Sequence, residues 1–230
     1  MELMQANKQW NSRPPDENYP TIDALYSATK AYREKAVERE KVSLDTLRTE
    51  AIDGDVQIVG KGNIPARLSN WGFGQLAKYA GAPVGYLQML PATLAVQNVN
   101  HGLAQRAKDT VVNLLFQTNG IANNYLLRAF TSDIYSRIWN HEVAERLQDF
   151  ASQGWQAATP TFNQLGGDKQ GLTGLWCSDH DMFAFVCSQN TVAESGNADG
   201  LKRGVIVDNS TVGASKLRMM RFLYRGMCGN

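Results

Sequence analysis

Apolar residues recur at helical spacing from Asp23 to about Glu50, with Leu25, Ala28, Tyr32 and Ala36, then Leu44, Leu47 and Ala51, set among densely mixed charges. The pattern predicts an amphipathic helix, continuous or in two parts meeting near Ser43, with Thr21 or Ser43 as caps. Asp53-Gly54-Asp55 reads as a turn and Val56–Val59 as a short strand, closed by Gly60, Gly62 and Pro65. Ser69-Asn70 stand where an N-cap belongs, ahead of Phe73, Leu76, Ala77 and Ala80 at helical spacing, and Gly81 ends that helix. Pro83 begins a short helix around Tyr86–Leu90, and Pro91 opens a third running to about Lys108. Past Asp109 the period shifts toward two. Val111–Phe116 and Tyr125–Phe130 flank Asn119-Gly120 and predict a hairpin with extra residues in its connection. His141–Phe150 reads as a helix ended by Gly154. Trp155–Leu165, Leu172–Cys177, Met182–Cys187 and Val205–Val207 read as strands, with turns at Gly166-Gly167 and at Ser178–Asp181.

Helices thus come first, followed by a mostly antiparallel β-meander with an inserted helix. The chain does not alternate as βαβ units do, so the expected class is α+β. Pro14, Pro15 and Pro20 mark residues 1–20 as a flexible or extended leader. With no repeat and no low-complexity linker, residues 21–230 are expected to form one domain.

Composition narrows the function classes. Of 230 residues, 43% are hydrophobic and 20% charged, the balance of a folded soluble protein. The net charge of +1 gives no global pull toward nucleic acid or acidic lipid. No apolar run reaches the length of a membrane span, and Met1–Gln5 lacks the regions of a secretion signal. Three scattered Cys suit a reducing cytoplasm better than a disulfide framework.

Candidate chemistry is sparse. Gly72-Phe73-Gly74-Gln75-Leu76-Ala77 matches a relaxed dinucleotide fingerprint, but Pro65 and Arg67 precede it and no acidic residue follows at ribose-binding distance, so a closely packed helix entry is expected instead. Cys177, His180 and Cys187 form the one plausible soft-metal group; without a fourth ligand, the cysteines read as core residues on neighbouring strands. No nucleophile elbow or phosphate loop occurs, so no catalytic residue, metal or cofactor is assigned. The charge asymmetry lies at the end. Lys202, Arg203, Lys216, Arg218, Arg221 and Arg225 stand against Asp208 alone from Lys202 onward. As a helix, Ala214–Met227 would gather Arg218, Arg221 and Arg225 on one face; as a strand it would divide them between two. Such cations beside Phe222 and Tyr224 suit single-stranded nucleic acid, guanidinium groups following phosphates while rings stack on bases.

Three segments carry a resemblance: Leu68–Ala77 continuing through Gly81–Leu87 to Leu90-Pro91; Leu127–Asn140; and Asp208–Gly213 with Arg225 and Cys228-Gly229-Asn230. Together they resemble a family of phage- and plasmid-encoded proteins described as domains of unknown function, whose pattern continues beyond the Cys-x-Asn element. The resemblance implies a place among replication and recombination functions. By analogy of fold it implies a distant likeness to ring-forming single-strand annealing proteins. The expectation is a non-catalytic, cytoplasmic, homo-oligomeric protein that binds single-stranded DNA and promotes annealing. Lys202, Arg203, Lys216, Arg218, Arg221 and Arg225 would neutralise phosphate, with Phe222, Tyr224 and Trp71 as stacking surfaces. The alternative is a protein-interaction module acting on a host factor through the residue 23–51 helix.

Overall fold

The structure, a computed structural model, describes residues 13–60, 65–106, 108–121, 124–159, 172–193 and 201–224. In chain order these form α1 (Ile22–Glu34), β1 (Ala36–Ser43), β2 (Arg48–Ile52), β3 (Asp55–Val59), β4 (Pro65–Leu68), α2 (Asn70–Ala80), α3 (Val84–Met89), α4 (Ala92–Ala104), β5 (Val111–Thr118) and β6 (Tyr125–Ser132). There follow α5 (Asn140–Ser152), β7 (Trp155–Ala157), β8 (Leu175–Cys177), β9 (Met182–Ala193), β10 (Leu201–Asn209) and β11 (Arg218–Tyr224). The class is α+β, with an N-terminal helix ahead of the strands. Among the described residues no helix is long and apolar enough to cross a membrane.

The expected single domain over 21–230 meets a chain that groups into two compact units. One comprises residues up to Arg33 with those from Ile138 onward; the other is Glu34–Arg137. The second unit is inserted into the first, and both crossings fall where the sequence has no Pro- or Gly-rich linker. Composition therefore gave no sign of them.

The inserted unit holds a six-stranded sheet in the order β1-β5-β6-β4-β3-β2, antiparallel except for β4 beside β6. Leu76, Ala77 and Ala80 of α2 and Val99 and Leu103 of α4 bury against Ile58, Ala66, Leu114, Leu127 and Phe130 of that sheet. Ser69 caps α2 by accepting the Gly72 N–H at 3.0 Å, and Gly81 closes it at φ +72°, as the sequence predicts. The outer edge of β2 is covered by a side chain. Asn100 of α4 accepts the Thr49 N–H at 2.7 Å and donates Nδ2 to the Thr49 carbonyl at 2.9 Å, standing in for a missing strand.

The long amphipathic helix expected over residues 23–50 ends at Glu34. Residues 36–43 pair with β5 instead, Val37 facing Phe116 and Arg39 facing Leu114. Here the register of β5 outweighs helical spacing, because an eight-residue hydrophobic strand needs a neighbour on that side.

The outer unit is built on a second sheet in the order β11-β10-β9-β7, with β8 also on β9. On one face Ile22 and Leu25 of α1 and Val143, Ala144 and Leu147 of α5 bury against Leu175, Met182, Ala184, Val186, Val205 and Val207. The other face carries Trp176, Phe183, Phe185, Cys187 and Ile206, with Met220 and Phe222 of β11 packed on them.

The described end of the leader is fastened down. Asn18 donates Nδ2 to the carbonyls of Thr173 (2.8 Å) and Leu175 (3.0 Å), and the Tyr19 N–H reaches the Leu175 carbonyl at 2.9 Å. These bonds supply β8 with partners that a free segment would leave to water.

Candidate nucleic-acid interface

β11 is a strand, so its cations divide by alternation. In the β10–β11 register Asp208 faces Arg218, Ile206 faces Met220, Val205 faces Arg221, Gly204 faces Phe222 and Arg203 faces Leu223. Arg203 and Arg221 therefore share one side, as diagonal neighbours roughly 7–8 Å apart. Both are exposed, and neither meets a carboxylate among the described residues. Met219 and Leu223, 59% and 54% exposed, stand on the same side. Lys216 is exposed just ahead of the strand.

The remaining members of the expected basic stripe are placed differently. Arg218 is bound by Asp208, its Nε at 3.0 and 3.1 Å from the two carboxylate oxygens and its terminal nitrogen 3.0 Å from one of them. The Asp208 side chain is only 8% exposed, so removing Arg218 would strand a buried charge; its role is structural. Lys202 lies on the opposite side from Arg203, close enough to Cys187 to oppose the upward shift that burial imposes on that thiol. Phe222 is not free to stack on a base. Its ring lies on Phe185 with centroids 4.6 Å apart and planes 23° apart, and it occupies the space above Gly204, where a Cβ would stand 1.9 Å from the ring. Trp71, 37% exposed, belongs to the inserted unit. Arg225 and the Tyr224 side chain lie outside the described residues, as do Gly166-Gly167 and Cys228.

The segments Leu127–Asn140 and Asp208–Gly213 meet through buried polar groups. Asn209 donates to the Ile138 carbonyl at 2.9 Å and to the Asn140 side-chain oxygen at 2.8 Å, while Asn140 donates to the Cys177 sulfur at 3.6 Å. Ser210 donates to the His180 carbonyl at 2.5 Å and accepts the Ala214 N–H at 2.9 Å. The Asp208–Gly213 segment is thus a polar clamp joining the start of α5 to the end of β10 through these bonds.

The remaining candidates resolve as packing. Cys177 buries toward α1 and α5 and Cys187 toward the opposite face of the sheet, so the two thiols and His180 do not converge. At Gly72, a Cβ would lie 2.6 Å from the Leu127 carbonyl oxygen, which explains the glycine of the apparent fingerprint by close approach of α2 to β6. Ser178, Asp179 and His180 are the residue types of a hydrolytic triad in the wrong geometry. Asp179 and Ser178 both approach the same ring nitrogen, Nδ1, at 2.8 and 3.2 Å. The Ser178 hydroxyl also accepts the Asp181 N–H at 3.1 Å and bonds its carboxylate at 2.7 Å. A relay to an attacking hydroxyl needs the nitrogen opposite the carboxylate, so this is a hydrogen-bonded turn.

Within that turn the surroundings of His180 favour its charged form. The hydrogen bond to Asp179 raises the His180 pKa above its ordinary 6.5, outweighing burial, with Asp181 adding and Arg13 opposing. Because the folded state favours the imidazolium, its contribution is complete below the unfolded pKa and lost as pH rises through the higher folded value. The thermal midpoint is expected to fall between about pH 6 and about pH 8, and His180→Gln to flatten that dependence, measured by circular dichroism. An unchanged slope in the variant would assign the effect elsewhere.

The exposed apolar residues beside Arg203 and Arg221 escape a reading based on charge alone. The run Arg218-Met219-Met220-Arg221-Phe222-Leu223, read at period two, is the signal that separates them from the buried side. Comparison of the chain with family models, curated proteins and solved structures returns no match.

Proposed function

We propose that this is a non-catalytic cytoplasmic protein that binds single-stranded DNA along the outer margin of the second sheet and promotes pairing of complementary strands. The reading is carried by one observation: Arg203 and Arg221 stand exposed together at the sheet edge without a carboxylate partner among the described residues. Lys216 extends that cationic margin. The phosphate chain follows the cations while Met219 and Leu223 offer apolar contact to bases, in place of the stacking rings expected from sequence. Among the described residues β11 pairs only with β10, so its free edge can accept a strand from a second copy; this supports a homo-oligomer. The test is binding of a labelled oligonucleotide across a range of salt. Three cations contributing about 0.7 each predict a log–log slope near about −2. A slope near zero, or no binding at low salt, overturns the proposal.

A purely protein-binding role is favoured by a different observation, the exposure of Met219 and Leu223 along β11 and of Leu217 (42%) just ahead of it. Under that reading Leu223→Ser lowers self-association measured by light scattering, and the protein shows no salt-dependent affinity for oligonucleotide.

A further inference from the structure

The inserted unit contains a cavity that the nucleic-acid reading does not use. Its volume is about 400 Å³, within the range of small-molecule sites. Strand register explains its floor. Val37 and Arg39 of β1 face Phe116 and Leu114 of β5, and Tyr125 of β6 faces Ala66 of β4, which faces Ile58 of β3. All of these residues line the cavity, together with Val42, Thr46, Leu47 and Gly60. α2 and α4 pack on buried members of the same sheet surface, so the cavity is the stretch that the helices leave open.

Its chemistry is lopsided. Leu47, Ile58, Ala66 and Leu114 are buried, and half-buried Phe116 and Tyr125 form an edge-to-face pair with centroids 6.2 Å apart. The cavity opens to solvent where Arg39 and Thr46 are exposed, and its deeper apolar walls leave water poorly bound. Thr46 donates its hydroxyl proton to the Ser43 carbonyl at 2.7 Å. Among the described residues Arg39 is the one charged lining residue, and neither it nor the Tyr125 hydroxyl has a hydrogen-bonded partner there.

We propose that this cavity binds a small amphipathic carboxylate: Arg39 holds the head, and an aliphatic or aromatic body lies against Ile58, Leu114 and Phe116. A planar guanidinium matches a carboxylate with two parallel hydrogen bonds and one unit of charge. A phosphate monoester would bring a second negative charge that no described lining cation other than Arg39 meets. The apolar body is held by surface removed from water, the head by a single directed contact, and the two contributions can be separated.

The test uses the full chain with decanoate and decanol, which share a tail and differ in the head. Affinities come from calorimetry, and the site from NMR shifts of the Val37, Val42 and Leu114 methyl groups. Decanoate is expected to shift those methyls and to bind about tenfold more tightly than decanol. Arg39→Gln should abolish that preference by weakening decanoate about tenfold, with decanol affinity and the melting transition unchanged. Absence of shifts at those methyls, equal affinity for the two probes, or a decanoate preference that survives in Arg39→Gln would each overturn the proposal. None of these readouts involves oligonucleotide, so their outcome is independent of the proposed DNA binding.

Discussion

Replacing Arg203 and Arg221 together by Ala is expected to weaken single-stranded DNA binding by about tenfold or more at moderate salt and to reduce the magnitude of the salt slope by about 1.4, two contacts at about 0.7 each. The argument is geometric. The two residues sit on one side of the β10–β11 pair, where a phosphate chain can touch both. They are exposed, so their removal leaves no buried partner uncompensated and the fold should tolerate it. Arg218→Ala should behave in the opposite way. It breaks a bidentate pair with the buried Asp208 carboxylate, so it costs stability while leaving the salt slope nearly intact. The contrast is measured by fluorescence anisotropy across a salt series, together with denaturant unfolding of each variant. If Arg218→Ala flattened the slope as much as the double variant, binding would not depend on the edge that Arg203 and Arg221 share.

This division among residues of one charge shows where sequence reading runs out. The local excess of cations after residue 201 is a property of composition and was legible. Which cations are free depends on a carboxylate ten positions away, and that pairing exists only because β10 and β11 run antiparallel in one register. Phe222 illustrates the same point. Beside three arginines it reads as a stacking ring, but Gly204 across the ladder leaves a vacancy that the ring fills against Phe185.

Elements set by local signals were legible. Ser69 and Gly81 bound α2, Pro91 opens α4, and Asn119-Gly120 lies between β5 and β6, because caps and turns act within a few residues. Elements set by distant partners were not. Residues 36–50 carry apolar spacing compatible with a helix, and what makes them strands is the availability of β5 on one side and β3 on the other. The nesting of one unit within the other leaves no mark in composition, since both crossings are made without a linker. The cavity beside Arg39 was illegible for the same reason: its lining comes from five strands together with Thr46, Leu47 and Gly60, residues spread from 37 to 125 with no local motif.

The largest expected loss of stability lies at Gly102 of α4. A Cβ there would stand 1.9 Å from the Ala80 carbonyl oxygen and 2.7 Å from its carbon, both backbone atoms of α2 that no rotamer change can move. Gly102→Ala therefore forces α2 and α4 apart at the point where Ala77, Ala80, Val99 and Leu103 fill the core. Helix propensity acts the other way, since Ala in a helix interior gains up to about 1 kcal/mol over Gly. Overpacking against fixed backbone costs about 3 kcal/mol, the upper part of its usual range, so the steric effect wins and a net loss of about 2 kcal/mol is expected. Gly85→Ala in α3 supplies the control. No atom lies within 4 Å of its added Cβ, so propensity acts alone and the variant should be neutral or slightly more stable. Denaturant midpoints of the two variants decide the matter. Equal midpoints would mean that α4 can slide past Ala80 without loss, and the close crossing of these helices would not be what holds the sheet's covered surface in place.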